Sequence, residues 1–143
     1  MNPRRTNIRD RLSLTLPAAD HSGIGRARGA VTELCERVGV SEKQLDGIRL
    51  AVSEACTNCV LHAYDGHAVS SSYCLHAHVD GELLVVVVED AGAGMAGDGD
   101  TAEASRNAGM GMGLPLIRQS AARVRVTTAR GVGTRLEMEF PIR

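Results

Sequence analysis

Leu12, Leu14 and Leu16 alternate with polar neighbours from Ile8 onward, which is the two-residue period of a strand; Pro17 should stop it. The period then lengthens. Ile24, Ala27, Val31, Leu34 and Val38 recur at helical spacing, with Ser22 as the expected N-cap and Gly39 as the stop. Ser41 opens a second helix, and Gln44 three residues on completes a capping box. Its apolar stripe is Leu45, Ile48, Val52, Ala55 and Cys59, and it should run to about Ala63. After a polar loop over 65–72, Tyr73 to Val79 and Glu82 to Glu89 read as two antiparallel strands joined at Asp80-Gly81. The second strand is apolar on both faces, which predicts a central place in the sheet. Residues 91–108 have no period and are rich in Gly, Ala and Asp; a connection of that length suits a functional lid. A third helix should begin near Leu114, with Pro115 in its first turn. Val124 to Thr128 and Arg135 to Phe140 read as strands joined by a turn around Gly131 to Gly133.

The order is β-α-α-β-β-lid-α-β-β. Hairpins outnumber crossovers, so the expected fold is an α/β two-layer sandwich: a mostly antiparallel, mixed sheet with three helices on one face. The 143 residues suit one domain, expected over 1–143.

Composition narrows the function. The formal net charge is −1, so no basic field exists to drive nucleic-acid binding. Arg4, Arg5, Arg9 and Arg11 read as a solvated tail and first strand. No apolar stretch follows that basic segment, and the longest apolar run, Leu83 to Val88, is too short to span a bilayer. The expectation is a cytoplasmic protein without a membrane or direct nucleic-acid partner. Cys56 and Cys59 form a CxxC, but they fall mid-helix and no second metal-ligand pair accompanies them, so they read as core thiols. Cys74, His76 and His78 share one face of a strand, the solvent face if Leu75, Ala77 and Val79 take the core.

Four elements carry candidate chemistry. Glu54, Asn58 and His62 line one helix face at i, i+4 and i+8. They are either the polar flank of an amphipathic helix or a metal-nucleotide site, with Asn58 offering an oxygen to Mg²⁺ and Glu54 accepting a hydroxyl proton. Asp90 ends the apolar strand, where a carboxylate could accept from an exocyclic amine such as adenine's; Gly92 and Gly94 let a ligand approach the backbone. The match of 92–97 to GxGxxG lacks the following helix that a dinucleotide site needs. Gly109, Gly111 and Gly113 precede the third helix. They are either a hinge or a phosphate cradle of free N–H groups at a helix start. Gly133-Thr134 alone is a turn.

Together these strings resemble the boxes of the histidine-kinase-like (GHKL) ATPases: Glu54 to Asn58, Asp90 to Gly94, Gly109 to Leu114, and Gly133-Thr134. The string from Ser53 to Gly66 is most similar to the anti-sigma-factor serine kinases. The resemblance implies a Bergerat-type ATP-binding fold with ATP and Mg²⁺ as cofactors. It implies that Asn58 ligates Mg²⁺, Glu54 is the general base and Asp90 binds the adenine amine. Gly92 and Gly94 would shape the base pocket, and Gly109, Gly111 and Gly113, with Leu114, would hold phosphates. His62 would line the nucleotide face, Thr134 would support the adenine end, and Arg28 would contact a protein partner. The implied partners are a sigma factor, an anti-anti-sigma antagonist protein phosphorylated on serine, and a second copy in a homodimer. GMGMGLP is also similar to switch kinases of stress-signalling complexes, which leaves open a switch module with little kinase activity.

Overall fold

The computed structural model describes residues 10–63, 72–90, 113–129 and 133–142. Five strands, β1 (Arg11–Pro17), β2 (Ser72–Asp80), β3 (Leu83–Asp90), β4 (Arg123–Ala129) and β5 (Gly133–Pro141), form one sheet in the order β1-β2-β3-β5-β4. Among the described residues three helices accompany it: α1 (Ser22–Arg37), α2 (Glu42–Ala63) and α3 (Gly113–Ser120). The α/β two-layer architecture is the one expected. Every ladder among the described strands is antiparallel.

Register explains the core. In antiparallel ladders, directly paired residues share a face. Leu14, Leu75, Val88, Leu136 and Val126 therefore form one row toward the helices, and Leu12, Ala77, Val86, Met138 and Val124 form the next. Against these rows α1 buries Ala27, Val31, Leu34 and Cys35. α2 buries its whole expected stripe, and Ala51, Cys56 and Val60 beside it. That face is wider than one stripe because α2 packs between α1 and α3 as well as on β3.

β3 is central, as its two apolar faces required. Val85 and Val87 point away from the helices and are still buried. Their register neighbours are His78 and His76 on one side and Glu139 and Glu137 on the other, whose long side chains flank them.

Three local expectations are corrected. The β2–β3 turn is Gly81-Glu82, not Asp80-Gly81: Asp80 still pairs with Leu83, and Gly81 alone has positive φ (62°), which suits a tight turn with glycine at its first central position. β1 continues through Pro17, which pairs with Ser72; an edge strand tolerates a proline there. Ser22 is not the cap of α1. The Asp20 carboxylate accepts from the Ser22 N–H at 2.9 Å, and hydrogen bonds from Ser22 hold its pKa below the ordinary value.

The α2 capping box is present. Ser41 Oγ accepts from the Gln44 N–H at 3.3 Å, and Gln44 Oε1 accepts from the Ser41 N–H at 3.3 Å. Gln44 Nε2 also donates to the Pro141 carbonyl at 3.1 Å, tying the start of α2 to the end of β5. Gly39, with φ 80°, closes α1, and the Val40 N–H reaches the Cys35 carbonyl at 3.0 Å. No described helix is long and apolar enough to cross a membrane.

Candidate nucleotide site

One end of the sheet departs from the apolar rule. The row Leu16, Tyr73, Asp90, Thr134 lies one pair from the strand ends, and it faces the helices. Leu16 and Tyr73 are buried, whereas Asp90 and Thr134 are only half-buried. A carboxylate and a hydroxyl thus sit side by side, directly paired across β3 and β5, on the side of the sheet that otherwise carries only core. A half-buried carboxylate in such a place needs donors or a ligand.

α2 lies over this end. Cys59, buried on its inner face, lies near enough to Asp90 to feel its charge. Burial pushes the Cys59 pKa well above the ordinary value, and the charge of Asp90 adds to the effect, so the group is a thiol near neutrality. One residue earlier, Asn58 is 7% exposed, and its Nδ2 has no hydrogen-bond partner among the described residues. A buried, unpartnered amide costs about 1–3 kcal/mol, a cost that a ligand can remove. Rotation about χ2 presents Oδ1 at the same place, which suits a hard cation as well as a hydrogen-bond donor. Glu54 stands one turn before Asn58 on the same helix face, half-buried.

Tyr73 fills the floor beside Asp90. Its hydroxyl makes no hydrogen bond of full geometry among the described residues. It lies toward α1, where a Cβ on Gly23 would approach it to 3.2 Å. The Cys56 thiol is close enough that the two groups influence each other's titration. Burial raises the Tyr73 pKa, Cys56 adding to it, and raises the Cys56 pKa to about 12.

Of the residues expected from sequence, Glu54, Asn58, Asp90 and Thr134 come to this one end. Leu114, in the first turn of α3, is buried in the common core. His62 is in the last turn of α2 and Gly113 opens α3. Gly92, Gly94, Gly109 and Gly111, and the expected lid over 91–108, lie outside the described residues. Arg28 is exposed on α1, and its Nη1 approaches Ser53 Oγ at 3.5 Å, next to Glu54 in sequence. Among the described residues no group of His, Cys, Asp and Glu could hold a metal ion by itself, so Cys74, His76 and His78 form no metal centre there. Sequence reasoning missed Cys59 and Tyr73 as neighbours of Asp90. The signal was available for Tyr73: the hairpin register brings residue 73 opposite residue 90.

Residues 17–140 match the family of histidine kinase-like ATPase domains. The chain is 32% identical over 89 residues to the serine-protein kinase RsbW of Halalkalibacterium halodurans, covering 62% of this chain and 52% of that protein. It is 30% identical over 86 residues to RsbW of Bacillus subtilis, covering 60% and 52%. It therefore spans about half the length of these relatives. The fold is shared with the RsbU and RsbW domains of a Mycobacterium tuberculosis protein, at TM-score 0.70 and 20% identity over 92% of this chain and 32% of that one. The histidine kinase domain of a blue-light activated histidine kinase from Erythrobacter litoralis gives TM-score 0.60 and 26% identity over 88% of this chain and 61% of that one.

Proposed function

The chain belongs to the histidine kinase-like ATPase domain family, and from that premise we propose that it is an anti-sigma regulatory kinase: it binds Mg-ATP and phosphorylates a serine of an antagonist protein. The observation that carries this reading is the pairing of Asp90 with Thr134 beneath α2, level with an Asn58 amide that is buried and has an unpartnered nitrogen. Similarity to proteins named serine-protein kinase RsbW supports the choice of serine as acceptor.

In this reading Asp90 accepts a hydrogen bond from the adenine amine and Thr134 supports the same end of the base. Gly92 and Gly94 shape the base pocket, His62 lines the nucleotide face, and Gly109, Gly111, Gly113 and Leu114 hold the phosphates. Asn58 offers its amide oxygen to Mg²⁺, which when bound neutralises charge on the phosphates. The serine Oγ forms a bond to the γ-phosphorus as the bond to the β–γ bridging oxygen breaks; ADP leaves, and Glu54 takes the serine proton. Arg28 contacts the partner from α1. With the antagonist phosphorylated, the protein retains its sigma factor, acting as a cytoplasmic homodimer.

The test uses γ-labelled ATP with candidate antagonist proteins. Glu54→Ala should abolish serine phosphorylation, a loss on the order of 10²–10⁴-fold for a general base, and leave nucleotide binding largely intact. Asn58→Ala should damage both. Phosphorylation by Glu54→Ala at the wild-type rate refutes the base assignment. A wild-type protein that captures a sigma factor but phosphorylates no antagonist is instead a nucleotide-dependent switch.

A further inference from the structure

α1 begins on the row that carries Asp90. Its first turn lies over Leu16 and Tyr73, and Tyr73 pairs directly with Asp90 across β2 and β3. A Cβ built on Gly23 would stand 3.2 Å from the Tyr73 hydroxyl oxygen, and 3.5 and 3.6 Å from Leu16 Cβ and Cδ2. Gly23 has no positive φ, so its backbone does not call for glycine. The other glycines of α1 lack such contacts: at Gly25 a Cβ would find only an Arg28 nitrogen at 4.0 Å, and at Gly29 nothing within 4 Å. Glycine is a poor helix former, and of these three only Gly23 is accounted for by packing on the sheet. The Tyr73 hydroxyl is buried and has no partner of full geometry among the described residues, so the fit of the ring rests on the shape of its seat. A methyl added at Gly23 would press on Leu16 and Tyr73 together. Leu16 is fully buried and leaves no room on its side. Directly paired side chains stand about 5 Å apart in an antiparallel ladder, so the ring can yield only toward Asp90, where the row is half-buried.

We propose that Gly23 and Tyr73 are positioning residues of the base pocket: the missing side chain at Gly23 seats the Tyr73 ring under α1 and keeps it out of the space in front of Asp90. The inference rests on the reading of Asp90 as the base acceptor and adds what keeps that end of the site open. A close-packed contact transmits a displacement because its atoms have no void to move into. The added methyl is therefore felt one residue further along the row, at the strand end where the base is read.

Calorimetric affinity for Mg-ATP and the melting temperature without nucleotide, both measured on the full chain, test this. Gly23→Ala should weaken Mg-ATP by about tenfold, a mild overpacking cost expressed as affinity, with the fold retained. In a Tyr73→Phe background, where the oxygen that the methyl meets is gone, the same substitution should cost no affinity. Gly29→Ala has nothing near its Cβ and serves as the control that binds as the wild type does. Equal losses from Gly23→Ala in the two backgrounds overturn the proposal, because the ring hydroxyl is then not what passes the change on. So does wild-type affinity in Gly23→Ala, whatever its melting temperature: the methyl is then absorbed by a shift of α1. A Gly23→Ala chain that does not fold overturns it too, since the seat then serves the core alone. If Asp90→Asn binds Mg-ATP as the wild type does, the base-pocket reading itself fails and this inference falls with it.

Discussion

Asp90 is the residue on which the site turns, and its own substitution is the sharpest single-residue test. On the proposed reading, Asp90→Asn conserves shape but replaces one acceptor oxygen by a donor amide where the adenine amine would sit. Losing a charge-assisted hydrogen bond should cost about 1–3 kcal/mol of binding, read as a weaker calorimetric affinity for ATP with an unchanged circular dichroism spectrum. Unchanged affinity would leave Asp90 as a strand end only. The thiols make a second residue-scale prediction. Burial pushes Cys35 to about 11 and Cys56 to about 12, from an ordinary value of 9.0, with Cys59 and Tyr73 raised in the same sense. These groups ionise earlier in the unfolded chain than in the folded one. Their contribution to stability is therefore complete below about pH 9 and is lost as pH rises toward 11–12. Urea midpoints should be insensitive to these thiols at pH 7–8 and fall steeply above pH 9. Cys35→Ala with Cys56→Ala should flatten that fall. An unchanged slope in the double variant would show that other groups drive it.

At the scale of elements, α2 joins everything. It holds Glu54 and Asn58, brings Cys59 near Asp90, reaches β5 through Gln44, and meets α1 where Arg49 Nε donates to Thr32 Oγ1 at 3.2 Å. Against α3 it approaches so closely that a Cβ on Gly47 would lie 3.3 Å from the Ser120 Cβ. Its start should then matter to function. Ser41→Ala removes half of the capping box and should cost about 1 kcal/mol of stability, measurable by urea denaturation. Gly47→Leu should cost more, because the α2–α3 contact has no room for the side chain. A Gly47→Leu variant as stable as the wild type would mean that α3 is held elsewhere. Elements of this kind were readable from sequence wherever a period met a cap or a stop: the stripe from Leu45 to Cys59, the Ser41–Gln44 box, the Gly39 stop and the doubly apolar β3. The errors came where several local solutions were nearly equal. Asp80-Gly81 and Gly81-Glu82 are both plausible turns, and only pairing decides. Asp20 and Ser22 can both serve the start of α1. In the site, the motif residues could be listed along the chain, but the nearness of Cys59 to Asp90 is tertiary, set by how α2 lies on the sheet, and no periodicity encodes it.

At the scale of the whole molecule, the candidate site lies between its two layers. Asp90 and Thr134 belong to the sheet, and Asn58 and Glu54 to the helical layer that packs on it. A nucleotide held between the layers has no site in the unfolded chain, so unfolding must release it. Binding to the folded state alone then stabilises by about 2.7 kcal/mol at a nucleotide concentration of 100 Kd. For a domain of this size that corresponds to a rise of roughly 8–11 °C in Tm. Thermal denaturation followed by differential scanning fluorimetry should show the rise with Mg-ATP. Asp90→Asn should melt near the wild-type temperature without nucleotide, since the substitution leaves the core rows intact, but gain much less from the same nucleotide concentration. A nucleotide-induced rise of equal size in Asp90→Asn would place the ligand elsewhere on the molecule. No rise in the wild type at saturating ATP would mean that the folded protein has no preferential site for the nucleotide, and the site argued from the Asp90–Thr134 pair and Asn58 would be wrong.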